Sequence, residues 1–257
     1  MTIRYEVEQG VATLRIARPE KRNALNQAMY ASLADRLDEA AADASVRAVL
    51  LTGEEEIFSA GNDLEEFLKN PPTGPDSPVL RFMLTLACYE KPVVAAVSGH
   101  AVGIGVTMLL HCDLVYVAAG SRLSMPFVSL GLVPEFASSY LLPLWAGHVR
   151  AADKLLLGTP LSAEDAVEFG IANAVLPREQ LLDFALETAQ RFNQLPPDGV
   201  RETKRLMKRA QARAVEEAIL EEAKVFGARL GGPEVREAVT AFYERRTPDF
   251  SRAGGKD

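Results

Sequence analysis

Ile3, Tyr5 and Val7 alternate with polar residues, and after Gln9 and Gly10 the alternation resumes at Ala12, Leu14 and Ile16. Period two on both sides of a two-residue turn predicts a β-hairpin. RPEKRNALN (18–26) reads as a loop, and Asn26 is placed to cap a helix whose apolar face is Met29, Leu33, Leu37 and Ala41. VRAVLLTG (46–53), KPVVAAVSG (91–99) and DLVYVAAG (113–120) are unbroken apolar runs ending in turns, the pattern of buried strands. FSAGNDLEEFL (58–68) predicts a short strand, a glycine turn and a helix start with Asp63 as its cap. GPDSP (74–78) predicts a mobile loop, and EDAVEFGIANAVLP (164–177) a helix, a glycine stop and a strand. Strands separated by helical stretches predict an α/β fold with a parallel sheet and crossover helices.

The pattern changes after NQLPPDGV (193–200). Residues 201–230 are helical throughout and a second helix follows at about 233–246, with no strand signal. A boundary is therefore expected near Pro196, between a core of residues 1–195 and a helical region of residues 196–257.

Composition narrows the function classes. The net charge of −7 argues against nucleic-acid or anionic-membrane binding, which favour a basic face. Two cysteines, Cys88 and Cys112, in apolar surroundings read as buried thiols of a reducing compartment. The start lacks the pattern of a signal peptide, and no apolar run nears the roughly 20 residues of a membrane span. A soluble cytoplasmic protein is expected. His100, His111 and His148 have no metal-ligand spacing, so no metal is expected.

Candidate chemistry lies in two strand–glycine turn–helix segments, FSAGNDL and VSGHAVGIGVTMLL. Such turns leave backbone N–H groups unpaired at a helix N-terminus, and two facing turns make an oxyanion hole. Ala60 and Ile104 are the candidate donors; close packing of strand on helix explains the same glycines. SGHAVGIG (98–105) also fits a dinucleotide fingerprint, but it lies far from the first strand, and no tyrosine has a lysine four residues on. GLVPEFASSYLLP (131–143) sets Glu135 in an apolar run, where it is either a proton shuttle with a raised pKa or a carboxylate at a helix N-terminus.

Taken in order, ARPEKRNALN, FSAGNDL, KPVVAAVSGHAVGIGVTMLLHCDLVYVA, SRLSMPFVSLGLVPE, GTPLSAEDAVEFGIANAVLP and AFYERRTPDFS resemble the crotonase superfamily, the enoyl-CoA hydratase/isomerase family. The resemblance implies a ClpP-like spiral of ββα units with a C-terminal helical oligomerisation region, assembled as a homotrimer or a dimer of trimers. It implies an acyl-CoA thioester as substrate, no separate cofactor, and a thioester oxygen bound by the N–H groups of Ala60 and Ile104. Lys21 and Arg22 match the CoA-binding edge. Ala24, Asp63, Leu64, Gly103 and Phe127 match positions along the ligand, and Phe226, Phe242 and Arg245 match C-terminal positions that contact CoA or the acyl tail, partly from a neighbouring subunit.

Where typical hydratases carry two glutamates, this chain has Thr107 and Phe127, and its carboxylate is Glu135 in a PE-x-x-SSY setting similar to Δ3,Δ2-enoyl-CoA isomerases. One carboxylate suffices to take a proton from C2 and return it at C4, whereas hydration divides its work between two. Phe127, Val133 and Phe136 are expected as apolar walls. The alternatives are a hydratase, a ring-opening isomerase, an aryl-CoA dehalogenase, or a non-catalytic acyl-CoA-binding subunit.

Overall fold

A computed structural model describes residues 2–54, 56–71, 74 and 76–251. The hairpin is β1 (Ile3–Glu8) paired antiparallel with β2 (Val11–Ile16). Gln9 and Gly10 between them both have positive φ, the turn whose twist matches its strands. Asn26 caps α1 (Gln27–Ala42), its side chain accepting from the Met29 N–H at 2.9 Å. The buried face of α1 ends at Ala40, and Ala41 is exposed. Eleven residues bring a helix almost back to the same face and twelve overshoot it, so the face expected through Ala41 drifts to Ala40.

β3 (Ala48–Gly53) is followed by the short β4 (Ile57–Ser59), then α2 (Leu64–Lys69) and α3 (Pro78–Ala87). β5 (Val93–Val97) is followed by β6 (His100–Val102) and α4 (Ile104–Thr107). β7 (Leu114–Ala118) is followed by β8 (Arg122–Ser124), α5 (Ser138–Ala146) and α6 (His148–Leu156). Each round of the chain is thus ββα, a spiral. Its long strands form one sheet with the hairpin and with β10 (Ala174–Leu176), in the order β1-β2-β3-β5-β7-β10. Its short strands form a second sheet with β9 (Leu161–Ser162), in the order β4-β6-β8-β9. Three-residue strands show no sequence period, which is why β6 and β8 are invisible in the pattern.

The unbroken apolar runs have a direct cause. α7 (Ala163–Glu168) leads to β10, and α8 (Arg178–Gln190) covers one face of the large sheet, where Leu181, Ala185 and Ala189 meet Ala48, Leu50, Val94 and Ala96. The alternate residues Val49, Leu51, Val93 and Ala95 face the other core with α1 and α3. Both faces of these strands are buried, so both parities are apolar.

The helical stretch expected over 201–230 is two helices, α9 (Pro197–Lys208) and α10 (Ala212–Leu230), and α11 (Pro233–Glu244) follows. α10 packs on α3 and α5, and Arg229 donates to the Gly131 carbonyl at 2.9 Å. The loop expected at 74–78 includes Pro75, outside the described residues; Pro78 already opens α3. Among the described residues no helix is long and apolar enough to cross a membrane.

Candidate functional site

The two glycine turns meet backbone to backbone. After β4 the chain turns at Gly61 (φ 86°), and after β6 at Gly103 (φ 53°). A Cβ on Gly61 would lie 2.8 Å from the Val102 carbonyl oxygen, and one on Gly105 would lie 3.0 Å from that of Ser59, so the turns approach this closely only with glycine there. The Ile104 N–H, at the first residue of α4, has no acceptor among the described residues.

Ala60 does not supply the second donor. Its N–H is already given to the Arg22 carbonyl at 3.0 Å, inside the fold. Two residues on, the Leu25 N–H donates to the Gly61 carbonyl at 2.7 Å and the Leu25 carbonyl accepts from the Asp63 N–H at 2.8 Å, and the Asn62 N–H between them has no acceptor among the described residues. The free donors are therefore Asn62 and Ile104, each the residue immediately after the positive-φ glycine.

Glu135 is 3% exposed. Thr107 Oγ1, from α4, donates to its Oε1 at 2.5 Å, while Oε2 is buried without a partner among the described residues. Burial pushes this carboxyl up to about 8; the Thr107 hydrogen bond opposes the rise and the Glu222 carboxylate adds to it. Glu135 is not the acid at the start of α5. The next two residues, Phe136 (φ 60°) and Ala137 (φ 57°), are both left-handed, and α5 begins only at Ser138. The acid there is Glu222 of α10, which accepts from the Ala137 N–H at 2.6 Å, the Ser139 N–H at 3.0 Å and the Ser139 hydroxyl. Burial raises the Glu222 carboxyl and these donors oppose the rise.

His111 completes the clamp. Its ring stacks on Phe136 with centroids 4.0 Å apart, and Nε2 donates to the Phe136 carbonyl at 2.8 Å. Burial lowers its pKa to about 3, so it stays neutral with the proton on Nε2. Ser138 donates to the backbone carbonyl of Glu135 at 2.7 Å, rather than to its carboxylate.

Glu135 and Asn62 open on one cavity of about 430 Å³. Its apolar walls include Phe67, Leu80, Met83, Phe226 and Leu230, and among the described residues Glu135 is the only acid that lines it. Of the walls expected from sequence, Phe136 is turned away under His111 and Phe82, and Phe127 is buried in the core near Gly103; neither lines the cavity, nor does Val133. The residues after 196 are thus part of the site, because α10 supplies Phe226 and Leu230 to its walls and, through Glu222, holds the turn that follows Glu135.

The remaining expected contacts are dispersed. Asp63 caps α2 through the Glu66 N–H and pairs with Arg18 at 2.9 Å, so it is committed to the fold. Leu64 begins α2 half-buried, Ala24 is buried with its carbonyl accepting from Arg18 at 3.1 Å, and the Gly103 N–H is used by the Ser124 carbonyl. Lys21 is half-exposed, 3.6 Å from Glu65, and Arg22 is exposed on the same loop. Phe242 and Arg245 are exposed at the end of α11 and do not line the cavity. Among the described residues no group of three acidic, histidine or cysteine side chains is arranged to hold a metal.

Thr107 and Glu222 are the partners that sequence reasoning missed. Thr107 had a signal: it occupies a position where relatives carry a glutamate, so whatever stands there faces the site. Its hydrogen bond favours the ionised carboxylate. Thr107→Val, which keeps the shape, is therefore expected to raise the apparent pKa governing kcat/KM by roughly 1 unit. Activity at pH 7 should fall up to about tenfold while the high-pH plateau stays near wild type. A pH–rate profile checks this, and an unmoved midpoint would refute it.

The enoyl-CoA hydratase/isomerase family model matches residues 6–253. The chain is 38% identical to the 1,2-epoxyphenylacetyl-CoA isomerase of Escherichia coli (strain K12), over 95% of this chain and 96% of that protein. It is 32% identical to enoyl-CoA delta isomerase 2 of Homo sapiens, over 93% of this chain and 62% of that protein. The solved structure of Pseudomonas aeruginosa OdaA matches with a TM-score of 0.92 at 50% identity, covering 94% of this chain and 98% of that one. A ββα spiral, two touching glycine turns with free N–H groups and a match along nearly the whole chain make this protein a member of the enoyl-CoA hydratase/isomerase family, in the crotonase superfamily.

Proposed function

We propose that this enzyme moves the double bond of a 3-enoyl-CoA into conjugation, giving the 2-enoyl-CoA. The observation that carries the reading is one buried carboxyl, half-held by Thr107, as the sole acid among the described residues that line a largely apolar cavity. Ionised Glu135 takes a proton from C2. The electron pair moves onto the thioester oxygen, giving a dienolate that accepts hydrogen bonds from the Asn62 and Ile104 N–H groups. Protonated Glu135 then returns the proton at C4, the carbonyl re-forms, and C2=C3 is left. Hydration would need a second group to direct water, and the Thr107 hydroxyl is engaged with Glu135. The apolar walls keep water from quenching the dienolate.

Lys21 and Arg22 are proposed to meet the CoA phosphates. Exposed Leu144, Trp145, Val149, Leu156 and Leu157 on α5 and α6 support association of copies into a homotrimer or a dimer of trimers.

A second reading has its own support in the 38% identity to the E. coli isomerase: rearrangement of an epoxide ring on an arylacetyl-CoA, with the same hole and the same acid. Purified protein should be given a 3-enoyl-CoA, a 2-enoyl-CoA and a 1,2-epoxyarylacetyl-CoA. Rising conjugation absorbance with the first and no loss of absorbance with the second are expected. Turnover of the epoxide alone would replace the proposal by the second reading. Hydration of the second substrate at a comparable rate would overturn both.

The pH dependence has a definite sign. The base form is the ionised one, and the free carboxyl titrates at about 8. Isomerisation kcat/KM is therefore expected to rise about tenfold per unit below pH 7 and to level off above pH of about 8. A profile that is flat from pH 6 to 9 would remove Glu135 from the chemical step.

A further inference from the structure

Three buried side-chain polar atoms lack a hydrogen-bond partner among the described residues: Tyr5 Oη, Ser77 Oγ and Glu135 Oε2. Two of the three line the same cavity. Glu135 has a role there already, and Ser77 does not. Ser77 is 6% exposed and stands at the N-cap of α3, where a serine hydroxyl ordinarily accepts from the helix N–H groups. Here it makes no cap bond, so the hydroxyl is left for the cavity.

Asn62 adds a second polar group. Its Oδ1 accepts from the Tyr30 hydroxyl, which fixes the amide and leaves Nδ2 without an acceptor among the described residues. Beside the Glu135 carboxyl and Lys224, a largely apolar chamber is thus lined by one uncharged hydroxyl residue and one amide.

We infer that the acyl group this site prefers carries an uncharged oxygen function, a hydroxyl, keto or ring-ether oxygen, that pairs with Ser77. The inference rests on the cavity being the acyl pocket of the proposed function. Its physical basis is the asymmetry of hydrogen bonding. In the free protein the hydroxyl is buried without a partner among the described residues. A plain alkyl chain leaves it unpaired, whereas an oxygenated chain supplies the missing partner. Sites built to bond a substrate oxygen discriminate against analogues that lack it. An anionic group is disfavoured, because Glu135 is buried in the same chamber and Lys224, the single cation among its described lining residues, is exposed and lies 3.8 Å from Glu221.

The test uses saturated ligands, which cannot react, so its outcome is independent of whether the enzyme isomerises 3-enoyl-CoA. Calorimetric Kd values would be measured on the full chain for hexanoyl-CoA and its 4-, 5- and 6-hydroxy derivatives, with wild type and Ser77→Ala. Thermal melting of the variant checks its fold, and Ser77→Gly serves as a second variant if Ala fails to fold. At least one hydroxy derivative should bind wild type about 3–10-fold more tightly than hexanoyl-CoA, and removing the hydroxyl should erase that preference. Equal or weaker binding of every hydroxy derivative by wild type would overturn the inference. So would a preference that persists in the variant.

Discussion

Glu135→Gln is expected to lower kcat/KM for isomerisation by about 10²–10⁴-fold while acyl-CoA binding survives. Gln keeps the volume and the acceptor for Thr107, so the cavity wall and the position of α4 are unchanged, and only proton transfer is lost. A stability measurement separates this from misfolding, because the sign is opposite to that of ordinary damage. The folded carboxyl binds its proton more tightly than the unfolded one, about 8 against 4.5. The stabilising contribution of that proton is fully present below the unfolded value and is lost as pH rises through the folded one. At pH 9 the wild type therefore carries a charge penalty of roughly 3–5 kcal/mol that the variant lacks. Glu135→Gln should melt higher than wild type at pH 9, and the gap should close toward pH 5. A variant that is both inactive and less stable at pH 9 would mean that Glu135 serves the fold. A variant that still isomerises would sink the mechanism.

Part of this site is plain in the sequence and part is not, for physical reasons. The strands of the large sheet are legible because both faces are covered, which leaves continuous apolar runs such as VVAAV. The caps Asn26 and Asp63 are legible because they act within three residues of themselves. The carboxylate is legible because an acid in an apolar run is rare enough to need a reason. That the first donor is Asn62 and not the expected Ala60 is not legible in the sequence. Both flank one glycine, and what separates them is a hydrogen bond from Ala60 to Arg22, a residue on a distant loop. No periodicity encodes that pairing.

The support beneath Glu135 was out of reach for the same reason. Phe136 and Ala137 are ordinary residues in a conformation that usually belongs to glycine or asparagine, so their identities give no warning of a left-handed turn. The group that holds them comes from Glu222, 85 residues from Ala137 along the chain. On sequence alone Glu222 is one of many acids on a polar helix. The alternative reading of Glu135, an acid at the start of a helix, fits Pro-Glu before an apolar stretch; the tertiary clamp from His111 and Glu222 delays that start to Ser138 and points Glu135 elsewhere.

That clamp sets the second large effect. Glu222→Leu removes the acceptor of two backbone N–H groups and one hydroxyl in a buried place, and each donor left unpaired costs about 1–3 kcal/mol before the turn relaxes. The two left-handed residues are themselves strained by about 1–2 kcal/mol each, so the turn has somewhere lower in energy to go once it is released. Stability should fall by about 2–4 kcal/mol, a loss of roughly 5–10 °C in Tm, and kcat should drop at least tenfold as Glu135 leaves its place beside Thr107. Glu222→Gln refines the point. It keeps one acceptor but sets an N–H₂ group against an N–H, so its cost in stability should be smaller. It also deletes the like charge that helps hold the Glu135 pKa up, so the midpoint of the pH–rate profile should move below about 8. Urea unfolding, kcat and KM separately, and the pH profile of each variant decide the matter. Lost stability with kcat and the pH midpoint both unchanged would make Glu222 a fastener of α10 alone, whereas a fall in kcat at near-constant KM would show that the turn it holds is what aims the base.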